Sequence, residues 1–559
     1  MYRTHNCGEL NIKYINKKVI LSGWVQNIRK FSKYYFIDLR DFYGITQLFI
    51  NKKYILFKIN NEFIIKVKGI VNERIKKNLL LSTGEIEVKV KKITLINKSK
   101  ILPFNIENNP KVSKKIRLKY RYLDIRREEI KNNFIIKSTI INKIRFFFLK
   151  NNFIELETPL LVKSTPEGAR EFIIPSRNYK GLFYSLPQSP QIFKQLLMIG
   201  GIDKYFQIVK CFRDEDLRKD RQPEFLQLDI EMSFINKSKY IFNIIEKLIK
   251  YLIKKFYNQN IINFKIIKYN KAIKYYNTDK PDLTNKIYKI KINKNIINKK
   301  YNNYNILSFI LPNFLNIKNV KIKDIINIIK IKNKKIFIFD NNNLFKNNNL
   351  FKNNNIIKNI IEKKFFSEYD ILIILLHKNN NINCNKFFNK INKLLFNSKY
   401  KKNILIPIWI IDYPLFKYDI NNKKYYSFHH PFTSPKKINK LSYKSLSKAY
   451  DLIINGIEIG SGSIRINNKK LQEKIFYLLN FNINDINHNF EFFLNALEYG
   501  TPPHGGIGIG IDRLILLLLN KQDIKDIIPF PKNYYNKDIM LNSPSKINEE
   551  ILFKLGLKI

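Results

Sequence analysis

Two arginines set far apart in the chain have the type and surroundings to act on phosphate. Arg213 stands in Phe212-Arg213-Asp214-Glu215, after the apolar stretch Tyr205–Val209. Arg513 closes Gly506-Ile507-Gly508-Ile509-Gly510-Ile511-Asp512-Arg513, ahead of the apolar run Leu514–Leu519. A reaction at a triphosphate needs fixed positive charge, because negative charge moves toward the leaving diphosphate. A guanidinium suits this better than an ammonium, since its planar fork takes two phosphate oxygens at once. Either arginine taken alone is more often half of a surface ion pair. The three glycines do not spell a dinucleotide fingerprint: the spacing is not GxGxxG, and no acidic residue about twenty positions on closes a βαβ unit. They read instead as places where a strand backbone passes close to a ligand. Asp451 and Glu458 offer hard oxygen ligands for a magnesium ion beside a nucleotide, although such a pair is ordinarily just solvated. His429 and His430 have no third metal ligand nearby and read as part of a polar pocket. Thr165–Arg170, with the single carboxylate Glu167, reads as a loop able to close as a lid.

The elements that must position these groups follow from the patterning. Val19–Val25, Tyr35–Leu39, Ile45–Ile50, Ile64–Val71 and Ile86–Val90 are short β-rich runs punctuated by Gly23, Gly44, Gly69 and Gly84. Five such strands within residues 1–105 predict a small barrel, and the OB-fold is the usual five-stranded one. Residues 106–130, dense in charge and tyrosine, read as a hinge. Helical and strand patterns alternate over 131–282. In 283–404 Asn, Lys and Ile dominate, and NNNLFK occurs twice in tandem from Asn341. This texture reads as an inserted, low-complexity domain with strand islands at Ile336–Phe339 and Ile371–Leu376. Organised sequence returns over 405–530, and 531–559 is a short tail.

Composition bounds the function. A chain of 559 residues is too long for one core, so about two to four domains are expected. The formal charge of +56, from 101 Lys plus Arg against 45 Asp plus Glu, suits a polyanionic partner such as nucleic acid. Much of it is lysine among Asn, Ile, Tyr and Phe, which all have AT-rich codons, so codon bias accounts for most of the magnitude. Cys7, Cys211 and Cys384 form no CxxC pair, which argues against a disulfide framework or a zinc site and fits a reducing cytoplasm. The longest aliphatic run is too short to span a bilayer, and the first residues carry no apolar signal region. Neither a membrane nor DNA is expected as a partner.

Several stretches together resemble the class II aminoacyl-tRNA synthetases, subclass b, and within them the bacterial aspartyl group. Phe148–Pro159 (FLKNNFIELETP) is similar to the first class II motif, whose proline lies at a homodimer interface. Phe212–Glu215 with Arg221–Phe225 is similar to the second, and Gly506–Arg513 to the third. RLKYRYLDIRR, TPEGAR, LPQSPQIFKQLLM, HHPFTSP and YGTPPHGG stand around them in order. The resemblance spans most of the chain and is faint over 285–400. It implies a multidomain α+β fold: an N-terminal OB-fold barrel, an antiparallel sheet with flanking helices, and an inserted α/β domain. It also implies ATP as substrate with magnesium, and ligation of L-aspartate to tRNA(Asp) in two steps through aspartyl-adenylate. Charging of tRNA(Asn) as well is the alternative. A sister asparaginyl or lysyl enzyme and a non-catalytic tRNA-binding paralogue are the rivals.

The resemblance further implies roles for matching positions. Arg213, Arg513 and Glu458 would be catalytic. Arg213, Asp214, Glu215, Gln222, Phe225, Glu458 and the segment Gly510-Ile511-Asp512-Arg513 would bind ATP, with Phe225 stacked on adenine. Asp451 and Glu458 would hold magnesium. Arg465 and Lys194 would grip the aspartate side chain, while Glu167, Ser189, Gln191, Arg213, Asp229 and His429 would complete the amino-acid site. In the barrel, Phe36 would stack on an anticodon base, with Arg29, Gln47 and Glu87 at base edges; without the resemblance Phe36 reads as an ordinary core aromatic. Two departures stand out. Gly505 or Gly506 stands where the family usually has Ala, and Ser461 where it commonly has Gly. A site that points two cations at the side chain should reject asparagine, because a neutral amide would leave them buried and unpaired, at roughly 3–5 kcal/mol.

Overall fold

The computed structural model describes residues 1–165, 169–257, 259, 261, 263–276, 278–284, 288–290, 299–301, 303–311, 334–339, 370–377, 391 and 404–558. The chain divides into two compact units, Met1–Ile116 and Arg117–Ile559.

In the first unit β1 (Lys18–Lys30), β2 (Tyr34–Arg40), β3 (Ile45–Asn51), β4 (Ile64–Glu73) and β5 (Ile86–Asn97) close into a barrel in the order β1-β2-β3-β5-β4. Only the β3–β5 contact is parallel. The strands alternate, as a surface buried on one side requires. Val19, Leu21, Val25, Ile37, Leu39, Leu48, Ile50, Ile65, Val67, Val71, Ile86 and Val88 fill the interior. All five runs read from the sequence are strands here.

The second unit is built on an eight-stranded sheet. Its strands, with those of the smaller sheets, are β6 (Ile154–Glu155), β7 (Ile173–Pro175), β8 (Phe183–Ser185), β9 (Lys204–Phe212), β10 (Glu224–Ser233), β11 (Lys265–Lys268), β12 (Tyr288–Ile290), β13 (Asn305–Leu311), β14 (Lys334–Phe339), β15 (Ile371–His377), β16 (Pro407–Ile411), β17 (Phe416–Asp419), β18 (Lys424–Ser427), β19 (Ala449–Ile454), β20 (Ile457–Ile464) and β21 (His504–Gly510). The large sheet runs β11-β16-β19-β20-β21-β10-β9-β6. It is antiparallel through its centre and parallel only at its two ends. β7–β8 and β17–β18 are hairpins. The described part of the insertion forms a separate antiparallel sheet, β12-β13-β15-β14, so both predicted strand islands are strands. The tandem NNNLFK and Cys384 lie outside the described residues.

Helices α1 (Glu128–Lys150), α2 (Gln191–Ile199), α3 (Lys239–Tyr257) and α6 (Ile511–Leu518) flank the large sheet, while α4 (Lys469–Leu478) packs on α5 (Ile483–Ala496) and α5 on α2. One face of the large sheet is apolar. Ile140, Ile144 and Phe148 of α1, Ile245, Leu248 and Leu252 of α3, and Leu514, Ile515 and Leu518 of α6 pack there on Leu228 and Ile230 of β10 and Ile507 and Ile509 of β21. The intervening residues of the same two strands face the other way: Gln227, Asp229 and Glu231 on β10, and Gly506, Gly508 and Gly510 on β21. A period of two therefore separates core from site along a single strand.

From Arg117 onward the charged stretch read as a hinge belongs to the larger unit. Arg117, Arg121 and Arg127 all donate to the buried Asp124 carboxylate. Arg121 also donates to the carbonyls of Lys525, Ile528 and Pro529, at 2.7, 2.8 and 2.7 Å. Its charge is spent fastening two chain segments together. Among the described residues no helix is long and apolar enough to cross a membrane.

Candidate active site

The polar face of β10 forms the floor of a cavity of about 400 Å³ whose walls come from α2, the β9–β10 loop, the segment at His429–Thr433, most of β20, β21 and the start of α6. Arg213, Arg465 and Arg513, the first more than two hundred positions from the other two, all line it. Cys7 and Cys211 are buried, and neither is in a disulfide.

One end is a buried charge cluster. Lys194 of α2 donates to Asp229 Oδ1 at 2.9 Å and lies 3.4 Å from Glu231 Oε2. Arg465 grips Glu231 with Nε and Nη2, at 2.9 and 3.2 Å, and donates from Nη1 to Ser463 Oγ at 2.8 Å. Gln227 Nε2 donates to Asp229 Oδ2 at 2.7 Å. Burial alone would raise the Glu231 carboxyl, but the charges of Arg465 and then Lys194 hold it below the ordinary range. Behind Arg465, His504 Nδ1 stands 2.8 Å from the Pro502 carbonyl, which can only accept, so this nitrogen carries the proton. Burial depresses the His504 pKa, so the ring stays neutral.

The glycines of β21 make this packing possible. A Cβ on Gly506 would lie 2.0 Å from the Ile230 carbonyl and 2.1 Å from Glu231 Oε2, and one on Gly508 would lie 2.6 Å from Gln227 Nε2. The sequence pattern points to close approach of a ligand. The structure shows that the carboxylate-bearing side chains of β10 also lie against the bare backbone.

Each buried cation thus already has a carboxylate partner. An asparagine side chain would not strand an unpaired charge, which revises the reason for its rejection. Lysine and arginine are donors only. An amide NH2 set against them places donor against donor, at about 1–3 kcal/mol for each group left unsatisfied, whereas a carboxylate accepts from both.

The opposite end holds the phosphate-directed groups. The Arg213 guanidinium lies 5.2 Å from the centre of the Phe225 ring. Arg513 leaves the first turn of α6, with Nη1 donating to the Glu458 carbonyl at 3.3 Å and Nε 3.5 Å from Asp220. Glu215 pairs with Arg221. Gln222 is pinned by Lys532, whose backbone amide donates to Oε1 and whose carbonyl accepts from Nε2, at 2.7 and 3.2 Å. Ser189, Gln191, His429 and Gly510 complete the lining, and Gln191 Nε2 is buried with no protein partner.

Other residues singled out from the sequence are placed differently. Glu167 lies outside the described residues. Asp214 and Ile511 do not line the cavity: the Asp214 amide donates to the Arg170 carbonyl, and Ile511 is in the apolar core. Asp512 borders the cavity, but its carboxylate takes Lys137 Nζ at 2.5 Å and the Leu226 amide at 2.9 Å, tying α6 to α1 and β10. Glu458 faces the cavity, with Lys280 Nζ 2.5 Å from Oε2. Asp451 is buried outside the lining. Tyr413 donates to its Oδ2 at 2.7 Å, and His429 Nε2 is 3.2 Å from Oδ1. Burial would raise the Asp451 carboxyl, but the charge of His429 and hydrogen bonds from His429, Ser461 and Tyr413 hold it low. Among the described residues no three His, Cys, Asp or Glu side chains cluster as a metal site. A cation in the cavity would depend on Glu458, on ligand phosphate and on water, since both Asp451 oxygens are engaged.

Sequence reading missed Glu231, Gln227, Tyr413 and Lys280. The alternation Gln227-Leu228-Asp229-Ile230-Glu231 was the available signal for the first two. Nothing local marks the others.

On the barrel, Arg29 Nη2 donates to Asp38 Oδ1 and Gln47 Oε1, each at 3.0 Å, and Gln47 Nε2 donates to Glu87 Oε2 at 2.7 Å. Phe36 packs with Phe31, Tyr34 and Phe49, with ring centres 5.5–5.8 Å apart. The four residues read for nucleic-acid contact therefore share one face formed by β1, β2, β3 and β5.

Residues 113–534 match the family described as tRNA synthetases class II (D, K and N), and residues 19–96 match the OB-fold nucleic acid binding domain. The chain is 44% identical over 589 residues to the aspartate--tRNA ligase of Buchnera aphidicola subsp. Schizaphis graminum, covering 100% of this chain and 99% of that protein. It is 42% identical over 586 residues to the aspartate--tRNA(Asp/Asn) ligase of Borreliella afzelii, with the same coverage. In fold it is similar to asparaginyl-tRNA synthetase from Pyrococcus horikoshii, with a TM-score of 0.60 and 20% identity over 95% of this chain and 98% of that one. It is also similar in fold to aspartyl tRNA synthetase from Entamoeba histolytica, with a TM-score of 0.59 and 19% identity over 93% and 90%.

Proposed function

Because the chain belongs to the class II tRNA synthetases of the D, K and N group, we propose that it ligates L-aspartate to tRNA(Asp) in two ATP-dependent steps, releasing AMP and diphosphate. The observation that carries the choice of amino acid is the donor-only pair Lys194 and Arg465, fixed by buried Asp229 and Glu231 at one end of the cavity that Arg213 and Arg513 line at the other. A small dicarboxylic amino acid is the complement of that end, and a triphosphate the complement of the other.

In the first step an oxygen of the aspartate α-carboxylate attacks the α-phosphorus of ATP, and the bond to the diphosphate breaks. Arg213 binds the α-phosphate and Arg513 the γ-phosphate, so charge is met where it develops. In the second step a ribose hydroxyl of the tRNA terminus displaces AMP from the mixed anhydride. The cavity provides orientation and electrostatics, and no side chain is cast as general base. Gln191, with its free amide, and Ser189 orient the amino acid; Phe225 stacks on adenine; Glu215 and Gln222 contact the nucleotide. Glu458 is the cavity-facing carboxylate that would hold magnesium, which when bound would neutralise phosphate charge; Asp451, with its oxygens taken by Tyr413 and His429, would add negative charge behind it. Glu167 belongs to the same reading as a lid residue.

Exchange of labelled diphosphate into ATP, run with aspartate, asparagine and lysine in turn, tests the assignment. Exchange with aspartate alone is expected; exchange with asparagine in place of aspartate would sink it. Charging assays on tRNA(Asp) and tRNA(Asn) decide between a strict enzyme and one like the Borreliella ligase. The reaction draws on the cytoplasmic tRNA pool, and we place the protein there.

The barrel face reads the anticodon, with Phe36 as stacking platform. Phe36→Ala should raise the KM for tRNA by about tenfold or more, since one stacked base contributes roughly 1–3 kcal/mol. Diphosphate exchange without tRNA should be unchanged. Equal losses in both assays would refute the division of labour.

We also propose a homodimer. Phe146 and Leu149 of α1 are 65% and 55% exposed, and Leu161, just beyond Pro159, is 53% exposed. Large apolar side chains left in water near the first motif fit a face covered by a second copy.

A further inference from the structure

We propose that Tyr413 is a positioning residue for aspartate activation: its hydroxyl and ring fix the Asp451–His429 pair so that His429 is held at the wall of the amino-acid site. This rests on the reading of the cavity given above.

Tyr413 touches both members of the pair. Its hydroxyl donates to Asp451 Oδ2 at 2.7 Å, while Asp451 Oδ1 takes His429 Nε2 at 3.2 Å. Its ring also meets the His429 imidazole edge to face, with centres 4.4 Å apart and planes at 78°. The carboxylate therefore has one oxygen for each neighbour, and fixing one oxygen fixes the plane that presents the other.

Tyr413 is itself locked. It is fully buried, and its carbonyl accepts from the Ser447 amide and hydroxyl at 2.8 and 3.1 Å. The preceding residue, Asp412, turns the chain with φ of +60° and is braced by Lys436 at 2.5 Å. Tyr269 and Phe428 pack against the same ring. The Ser461 hydroxyl is a further donor to Asp451.

A buried tyrosine needs some acceptor in any case. What sets this one apart is the use of the carboxylate that holds a cavity-lining histidine. With Nε2 committed to Asp451, His429 Nδ1 is left buried without a protein partner. It is the ring atom available to a ligand, and the Tyr413–Asp451 contact decides where it sits.

Tyr413→Phe removes the hydroxyl and keeps the ring. Wild-type exchange with aspartate establishes the underlying reading independently. Given that activity, the variant should raise the KM for aspartate about tenfold, as loss of one hydrogen bond to a charged group implies. The KM for ATP and the thermal midpoint should stay near wild type. In nitrogen-labelled histidine spectra the resonances of the His429 ring should move. Three results would overturn the proposal: unchanged aspartate KM and His429 resonances, equal rises in both KM values with a lowered midpoint, or a change confined to the magnesium dependence. The second would mark a general structural role, and the third a role at the metal site alone.

Discussion

Replacing Arg465 with leucine should lower aspartate-dependent diphosphate exchange on the order of a thousandfold or more, while ATP still binds. Arg465 supplies part of the donor array that a side-chain carboxylate satisfies, and an aliphatic residue supplies none. The substitution also frees the buried Glu231 from its guanidinium and leaves it with Lys194 at 3.4 Å. Breaking a buried pair from one side costs about 3–5 kcal/mol of stability. The single variant could therefore fail by losing structure instead of recognition. Removing both charges, as Arg465→Leu with Glu231→Leu, separates the two, because replacing both partners by apolar groups is close to neutral. The double variant should regain the thermal midpoint and ATP binding yet remain unable to activate aspartate. Recovery of aspartate exchange in the double variant would show that Arg465 serves only to neutralise Glu231.

Arg213→Gln should reduce kcat for diphosphate exchange by about a hundredfold to a thousandfold, the loss that follows removal of one preorganised electrostatic contact, roughly 3–4 kcal/mol. Glutamine keeps hydrogen-bonding capacity at that point of the wall but carries no charge. The KM for aspartate should change little, since Lys194, Asp229, Glu231 and Arg465 form their cluster without Arg213. A contact made only as charge shifts to the diphosphate lowers kcat and kcat/KM together. One made equally in ground and transition states raises only the KM for ATP. A variant with normal kcat and a raised KM for ATP would reassign Arg213 to ground-state binding. The guanidinium also lies against Phe225, so Arg213→Lys, which keeps charge but loses the planar face and the fork, should recover only part of the rate.

The strands of the barrel and the suitability of Arg213 and Arg513 for phosphate were legible in the sequence from local rules. The membership of Lys194, Asp229 and Arg465 in the same constellation came only through the resemblance of ordered motifs to a known family. A period of two tells which side of a strand meets apolar packing, and short ordered motifs carry the residue types that phosphate and carboxylate chemistry need. What those rules do not contain is who pairs with whom across the sheet. That Glu231 neutralises Arg465, that Gly506 is bare because Glu231 lies on it, and that Asp451 answers to Tyr413 and His429 are contacts between segments tens to hundreds of residues apart. Their strength comes from burial in a shared low-dielectric interior, which exists only once the chain has folded. The charged stretch from Arg117 makes the same point. Its composition suits a solvated linker, yet its arginines close around Asp124 and the carbonyls of 525–529. The sequence by itself determined which chemistry was on hand and which strands would carry it. Only the tertiary structure decided which charges are spent on one another and which are left facing the cavity.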